Sequence, residues 1–435
     1  MHPIRTVAVG KLDGFVGDDG PFSSAPGAWT RLLPWTRSVS AYAVFHMKGE
    51  RLRLGAFGVG RMGQVHLEHL IALHQRGEIE LVAMGDRFGP TLSSASRLLN
   101  ELGGPGLAGI ARFDEPDAMA AAARLDGVIV ASRTEDHARD SLAFIRDGTP
   151  VFVEKPFANS IAEAADFCRR LGDCPNRLVQ VGFQRHFDAA GRAALDWISS
   201  GRIGSLQQSH HVLQDKNPTP VGYQSCGITA DMAIHLVFEA MSVHGFELPS
   251  SVQALRFAAP HYDDRAGEGA NVVHTFCTWA DGTVAQLWGS RINSAGYDNG
   301  FKVIGTEGRI DVGEFVGGFG AITARLWSGA GDDRGRQIEE ATFPMTRPSA
   351  RHPDFYARYA AAYATEISAF VDCLRRKAPF DLGPDLGWKT LLVANLAEAS
   401  SRSGGRRFDL MQANGSAIAT VVDAVAYAGA VSPLV

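Results

Sequence analysis

The chain has 435 residues, of which 45% are hydrophobic and 20% are charged, a balance typical of a globular protein with a substantial core. This length exceeds that of one typical domain, so we expect two domains with terminal extensions. The formal net charge of −5 argues against a nucleic-acid partner, and no apolar run reaches the roughly 20 residues that span a bilayer.

The cysteines and histidines give no sign of a disulfide framework or a metal site. The five cysteines are odd in number and scattered, without a C-x-x-C pair. This usage is typical of a reducing compartment, so we expect a cytoplasmic protein. The fourteen histidines lack the spacing of zinc ligands, and we expect no metal.

Both ends of the chain look appended to the folded part. Residues 1–46 contain several Gly, Pro and Ser breakers but no sustained period and no secretory signal. We therefore expect residues 1–49 to form an extension that adds nothing to the fold. The Ala/Val-rich residues 413–435 are expected to form a C-terminal tail.

The segment from Leu52 to Asp86 predicts a strand, a glycine turn, a helix, a second strand and an acid. Gly58 would allow the tight turn, Gly60 would let a pyrophosphate approach, and Gly63 would let the helix pack closely on the strand. Asp86 comes 23 residues after Gly63, where a carboxylate accepts hydrogen bonds from an adenosine ribose. The segment therefore predicts a Rossmann domain with a bound dinucleotide.

The alternation of strands and helices continues to about residue 182. The fully apolar run at 127–131 predicts a buried parallel strand, further strands are predicted at 110–113, 151–153 and 178–182, and helices are predicted near 93–102 and 137–146. Ser160 and Glu163 form a capping box for a further helix. Because ligands bind beyond the carboxyl ends of parallel strands, residues 132–137 and 154–156 are expected on the same rim as the glycine turn.

The pattern changes after about residue 200. Alternating runs at 206–213, 252–257, 272–279, 284–290 and 301–304 predict a large, mainly antiparallel sheet. Helices are predicted near 226–244, 355–376 and 384–403. We therefore expect an α/β dinucleotide domain at 50–177 and a second, α+β domain at 178–412.

Three residues could carry the chemistry of alcohol oxidation. His235 has the ordinary pKa of a base near neutral pH, Asp231 lies four residues earlier on the predicted helix, and Lys155 ends a predicted strand. Lys155 could donate to a substrate oxygen, and Asp231 could orient His235 or bind a hydroxyl. Spacing alone also fits a solvated lysine and a surface Asp/His pair.

Seven motifs in order resemble the family of glucose–fructose oxidoreductase, inositol dehydrogenase and MocA. They are FGVGRMGQVH (57–66), the strand ending in Asp86, DGVIVASRTEDHA (126–138), VEKP (153–156), QVGFQRHFD (180–188), the D-x-x-x-H of Asp231 and His235, and GYDNGFKVIGTEG (296–308). The resemblance covers about residues 50–410. It implies a Rossmann domain followed by an open antiparallel sheet that often builds homodimers or homotetramers.

The resemblance also implies the roles of individual residues. It makes Lys155, Asp231 and His235 the catalytic group, and it places Arg185, Asp215 and Tyr297 on the substrate side, with Asp298 next to Tyr297 in the same motif. It places His66 and His137 near the cofactor, although each could be purely structural. The full set expected to contact the cofactor is Gly58, Gly60, Arg61, Met62, Gly63, Asp86, Arg87, Ser132, His137, Glu154 and Lys155.

Two segments depart from the inositol dehydrogenase pattern. The residues after His235 read Leu-Val-Phe where Asp-x-Asp is common, and residues 214–218 read Gln-Asp-Lys-Asn-Pro where many members carry Arg-Asp-Pro. Both changes touch the substrate side, so they put the exact substrate in doubt.

We therefore expect an NAD-dependent dehydrogenase acting on a cyclic polyol or sugar, of which an inositol is the favoured substrate. Asp86 favours NAD because a carboxylate repels a 2′-phosphate, whereas Arg87 could stack on adenine or accept NADP. Two other functions remain open. One is a glycosidase that uses held NAD for transient oxidation and elimination, and the other is a non-catalytic regulator that binds NAD.

Overall fold

The structure is a computed structural model that describes residues 51–107, 109–172, 175–216, 226–261, 264, 267, 269–313 and 320–431. The expected extension at 1–49, and Asn217 and Pro218 of the departing loop, lie outside the described residues.

A six-stranded parallel sheet forms the first layer, in the order β3-β2-β1-β4-β5-β6. Its strands are β1 (Leu52–Phe57), β2 (Ile79–Gly85), β3 (Ala111–Phe113), β4 (Gly127–Val130), β5 (Val151–Glu154) and β6 (Val179–Gly182). Strands β4, β5 and β6 are buried at every residue, and the fully apolar sequence of β4 predicts this burial. β6 lies after residue 177, so this sheet extends past the boundary expected from the sequence.

In the described residues, six α-helices accompany this sheet. They are α1 (Arg61–Gln75), α2 (Gly89–Gly103), α3 (Pro116–Ala122), α4 (His137–Ile145), α5 (Ile161–Leu171) and α6 (Pro175–Leu178). The Ser160 hydroxyl caps α5 by accepting a hydrogen bond from the Glu163 N–H at 3.2 Å. The Glu163 carboxylate returns to the N–H of Asn159, one residue before the position that a capping box predicts.

A second, nine-stranded sheet is formed by strands from residues 206–409, in the order β14-β13-β12-β11-β7-β10-β9-β8-β15. Among the described strands of this sheet only the β7–β10 pair is parallel, so the expectation of a mainly antiparallel sheet is confirmed. The strands are β7 (Leu206–Gln214), β8 (Ser251–Phe257), β9 (Val272–Thr278), β10 (Val284–Ser290), β11 (Asp298–Gly305), β12 (Gly308–Val312), β13 (Ala321–Ser328), β14 (Gln337–Pro344) and β15 (Phe408–Asp409).

After β6, the described part of the chain contains five further α-helices, which pack beside the second sheet or return to the first. They are α7 (Ala189–Ser199), α8 (Ile234–Val243), α9 (Asp354–Arg376), α10 (Pro384–Arg402) and α11 (Val421–Val431). Although α9 comes late in the chain, its Ile367 and Phe370 join the core formed by β1, α1 and α2. Helix α11 lies in the expected tail, and its Tyr427 hydroxyl donates to the carbonyl of Asp409 at 2.7 Å. In the part of the chain described here, no helix is both long and apolar enough to cross a membrane.

Candidate active site

The glycine turn between β1 and α1 leaves open space at one position only. A Cβ at Gly58, whose φ is +81°, would overlap the main chain of Ser132, and one at Gly63 would overlap the carbonyl of Gly58. A Cβ at Gly60 would meet nothing within 4 Å. Gly58 and Gly63 are therefore needed for the packing of this turn, whereas Gly60 borders free space.

The glycine turn carries groups suited to a phosphate. Helix α1 begins at Arg61 with no side-chain cap and no acidic residue in its first turn, so its first N–H groups are available to an anion. The Ser132 hydroxyl is buried without a hydrogen-bond partner among the described atoms. Arg61 lies with its guanidinium 5.6 Å from the ring centroid of Phe355, and Met62 is half-buried in the first turn. The turn fits a dinucleotide pyrophosphate.

Asp86 and Arg87 follow β2 directly and have different hydrogen-bond partners. The Asp86 carboxylate accepts a hydrogen bond from the N–H of Phe88 at 2.8 Å, and half-burial raises its pKa. The Arg87 guanidinium donates to both carboxylate oxygens of Asp140, each at 2.8 Å. Asp86 thus stays at the sheet edge, where a ribose would lie, while Arg87 is held by another carboxylate.

His137 and Glu154 anchor the loops that follow β4 and β5. His137 places one ring nitrogen 2.8 Å from the carbonyl of Pro156 and the other 3.0 Å from the carbonyl of Ser132. The fully buried His66 lies 2.7 Å from Glu154. Burial alone would raise the pKa of Glu154, but the hydrogen bond from His66 and the charge of Lys155 outweigh it and lower that pKa. Both residues therefore brace the rim that carries Lys155.

The three residues expected to be catalytic converge. The Lys155 ammonium donates to the main-chain carbonyl of Asp231 at 3.2 Å. Asp231 lies in a π-helical turn (Thr229–Ala233), and His235 lies in the first turn of α8. Burial lowers the pKa of His235 well below 6.5, and the nearby charges of Lys155 and Arg185 lower it further. These effects favour the neutral form of His235, whose Nδ1 is buried without a hydrogen-bond partner among the described atoms.

The Asp231 carboxylate is paired with a residue that the sequence reading missed. Arg291 donates to it at 3.2 Å, and both side chains are less than 15% exposed. Arg291 directly follows β10, so it lies at the end of a strand as Lys155 does. That position was the available signal for Arg291.

Arg185 belongs to a buried charge network beside His235. It donates to Glu239 at 3.2 Å, and the other oxygen of Glu239 lies 2.8 Å from Nδ1 of His211. Glu239 is one turn after His235 on α8 and is the single charged residue in that helix. A lone acid in an otherwise apolar helix is a sequence signal for a buried ion pair.

Tyr297 and Asp215 lie on the same side as Arg185. Burial raises the pKa of Tyr297. The negative charge of Asp215 raises this pKa further, and the positive charge of Arg185 opposes the increase. The Tyr297 oxygen accepts a hydrogen bond from the Asn299 amide at 3.4 Å. Asp215 is fixed by its main chain, whose N–H donates to the carbonyl of Ser290 at 2.8 Å. The neighbouring Asp298 begins β11 and is half-buried, which raises its pKa. Arg185 thus lies near both His235 and Tyr297.

In the part of the chain that the structure describes, no cluster of three or more His, Cys, Asp or Glu side chains has the geometry to hold a metal ion.

Comparison with known proteins identifies the family. Residues 52–183 match the model of an oxidoreductase family with an NAD-binding Rossmann fold, and residues 192–311 match the GFO/IDH/MocA C-terminal domain. The chain is 31% identical over 357 residues to inositol 2-dehydrogenase of Rhizobium meliloti (strain 1021), covering 81% of this chain and 96% of that protein. It is 26% identical over 328 residues to scyllo-inositol 2-dehydrogenase (NAD(+)) of Bacillus subtilis (strain 168), covering 75% and 86%.

A solved structure shares the fold. The scyllo-inositol dehydrogenase of Lactobacillus casei, solved with bound NAD(H) and scyllo-inositol, superposes with a TM-score of 0.65 at 21% identity, covering 82% of this chain and 99% of that chain. With the two family models and the inositol 2-dehydrogenase at 31% identity, the resemblance seen in the seven sequence motifs is confirmed. The chain belongs to the glucose–fructose oxidoreductase, inositol dehydrogenase and MocA family of oxidoreductases, whose N-terminal Rossmann domain binds NAD.

Proposed function

We propose that this chain is an NAD-dependent dehydrogenase that oxidises a secondary hydroxyl of a cyclic polyol of the inositol type. The observation that carries the proposal is the contact between Lys155, at the carboxyl end of β5, and the turn that holds Asp231 and leads to His235. The names of the relatives, inositol 2-dehydrogenase and scyllo-inositol 2-dehydrogenase (NAD(+)), support the substrate class.

Each residue of the group has a distinct role in the proposed reaction. The neutral ring of His235 accepts the hydroxyl proton of the substrate on a ring nitrogen. The Lys155 ammonium donates a hydrogen bond to the same oxygen as negative charge develops on it. Asp231, held by Arg291, binds a neighbouring hydroxyl and fixes the ring of the substrate. Bound NAD supplies the acceptor for the hydride that leaves the carbon.

Arg185, Tyr297 and Asp215 supply the polar contacts that select the substrate. A buried cation, a phenol and a carboxylate can together bind several hydroxyl groups of a polyol. A site built from such groups discriminates strongly, because a substrate without the matching hydroxyl leaves a buried group unpaired. Leu236, Val237 and Phe238 are buried on α8, so the residues that replace the usual Asp-x-Asp belong to the core.

The open face of the second sheet is proposed as a homo-oligomer interface. Four large apolar side chains protrude from it, each more than 40% exposed: Leu255 and Phe257 of β8, Phe276 of β9 and Trp288 of β10. The strand register places them on one face, with His274 stacked on Trp288 at 5.5 Å. A contiguous apolar patch of this kind marks an interface, and a second copy of the chain is the proposed occupant.

We also place the protein in the cytoplasm. The support is its cysteine usage, since Cys168, Cys226, Cys277 and Cys373 are all free thiols. Fractionation of the source cells with an antibody against the chain tests this, and recovery in the extracytoplasmic fraction would contradict it.

The function is tested by absorbance of the reduced nicotinamide. The purified chain is supplied with NAD or NADP and with myo-, scyllo- or chiro-inositol or common aldoses. A rise with NAD and a cyclitol supports the proposal, whereas a rise with aldoses alone would contradict the substrate class. Binding of NAD without any reduction would contradict the dehydrogenase and favour the glycosidase or the regulator.

A further inference from the structure

The Arg87 guanidinium is held by carboxylates on two sides. Its two terminal nitrogens each donate to Asp140 at 2.8 Å, and its Nε donates to Glu115 at 3.0 Å. Asp136 lies 3.9 Å away. The bidentate pair with Asp140, whose side chain is fully buried, fixes the plane and direction of the guanidinium.

These hydrogen bonds of Arg87 lie at the carboxyl ends of the parallel strands, where the adenosine half of a dinucleotide would bind. Arg87 follows β2, whereas Asp140 lies on α4, which follows β4, and β1 separates these strands in the sheet. The guanidinium therefore crosses over the end of β1, where its central carbon is 5.5 Å from the ring centroid of Phe57. Asp86, the expected ribose ligand, is the adjacent residue.

The charges around this edge are unfavourable for a second phosphate. Four carboxylates surround it, those of Asp86, Glu115, Asp136 and Asp140, and two cations pair with them, Arg87 and Arg139. The net charge of these six side chains is therefore −2. A 2′-phosphate would bring up to two more and could recruit Arg87 only by breaking its bonds to Asp140 and Glu115.

We propose that Asp140, assisted by Glu115, is a specificity-determining residue that selects NAD over NADP by holding Arg87 away from the ribose 2′ position. The proposal rests on the proposed function, since it concerns the cofactor of that site. It assigns the discrimination to a carboxylate 54 residues beyond Asp86, in addition to Asp86 itself. In this proposal Arg87, which by sequence could bind the 2′-phosphate of NADP, is kept from binding it by its hydrogen bonds to Asp140 and Glu115.

The test measures binding rather than turnover. Dissociation constants of NADH and NADPH are determined for the full chain by fluorescence titration, in the absence of substrate. Asp140→Asn is expected to tighten NADPH binding relative to NADH by roughly 10- to 100-fold, because Arg87 can then pair with the phosphate. Glu115→Gln, at a side chain 58% exposed, should shift the same ratio in the same direction by a smaller factor.

Two further variants test whether the effect acts through Arg87 or arises only from the loss of one negative charge. In Asp140→Asn combined with Arg87→Ala, the gain in NADPH binding should disappear. Asp117→Asn removes a carboxylate that is 69% exposed and paired with Arg146, and it should leave the ratio unchanged. If Asp140→Asn does not fold, Glu115→Gln with and without Arg87→Ala gives the same comparison.

An unchanged ratio in the Asp140 and Glu115 variants, with NADH binding intact, would overturn this proposal and leave the proposed function standing. A gain that persists without Arg87 would also overturn it. Binding of neither dinucleotide by the unmodified chain would instead overturn the proposed function.

Discussion

The Lys155 ammonium donates a hydrogen bond to the main-chain carbonyl of Asp231, 76 residues away in the sequence, at 3.2 Å. Lys155 ends a strand of the parallel sheet, and Asp231 lies in the turn that leads into α8 beside the second sheet. The contact joins the Rossmann rim to the helix that carries His235. The chemistry proposed for this site depends on that junction.

Replacing His235 with Ala should lower turnover by roughly 10²–10⁴-fold, because the proton acceptor is lost. The affinity for NAD should change little, since the proposed role of His235 lies on the substrate side. Stopped-flow reduction of NAD and a separate NADH titration measure the two effects. His352→Ala, in which a histidine paired with Glu68 is removed, serves as the matched control. Turnover like that of the wild type in H235A would remove His235 from the mechanism.

Asp231 and Arg291 should act as a coupled pair. Removing either partner deletes the ion pair and leaves the other charged group partly buried, whereas removing both takes away the pair and both buried charges. Asp231→Asn and Arg291→Gln are therefore expected to be non-additive in kcat/KM, with a coupling energy of about 1–3 kcal/mol. A double-mutant cycle with the preferred polyol measures it. Strict additivity would show that the ion pair does not position Asp231.

The pH dependence of kcat/KM should report the environment of His235. The proton acceptor must be neutral, and burial, Lys155 and Arg185 lower its pKa well below 6.5. Activity should therefore persist as the pH falls through 6.5 and be lost only well below it. Arg185→Gln removes a nearby positive charge, which raises the pKa of His235 and moves the acidic limb to higher pH. A limb that stays in place in this variant would contradict the assignment.

Two glycines of the turn should respond differently to alanine. In Gly60→Ala the new methyl enters open space, so the melting temperature should stay near that of the wild type while NADH binding weakens at least about tenfold. In Gly63→Ala the methyl overlaps the carbonyl of Gly58, so stability should fall as well. Thermal melts and NADH titrations of both variants make the comparison. Normal binding by Gly60→Ala would move the pyrophosphate away from this turn.

The open sheet face should be required for assembly. Phe276→Asp combined with Trp288→Asp places two charges in the exposed apolar patch and should reduce the mass in solution to that of one chain. Light scattering after size exclusion measures the mass. Val422→Asp changes an apolar residue that is 70% exposed on α11, and it should leave the mass unchanged. A wild-type chain that is already monomeric would contradict the interface.

The local sequence pattern was sufficient to predict a strand or helix wherever that element buries a continuous apolar run or one apolar face. The segment from Leu52 to Asp86 predicts β1, α1 and β2 closely, and the helices near 355–376 and 384–403 match α9 and α10. Strand β14 was missed because most of its side chains are exposed, so it shows no apolar alternation. Strand β13 and the helices α3, α7 and α11 were also not predicted.

The sequence by itself determined the Rossmann fingerprint, the antiparallel second sheet and the residue types available for alcohol oxidation, because these follow from local periodicity and from motifs in order. Only the tertiary structure decided how those residues pair. Arg291 with Asp231, Glu239 with Arg185, and Asp140 with Arg87 are separated by 60, 54 and 53 residues. The partner of a charged side chain is chosen by the elements that pack around it, and no local spacing encodes that choice.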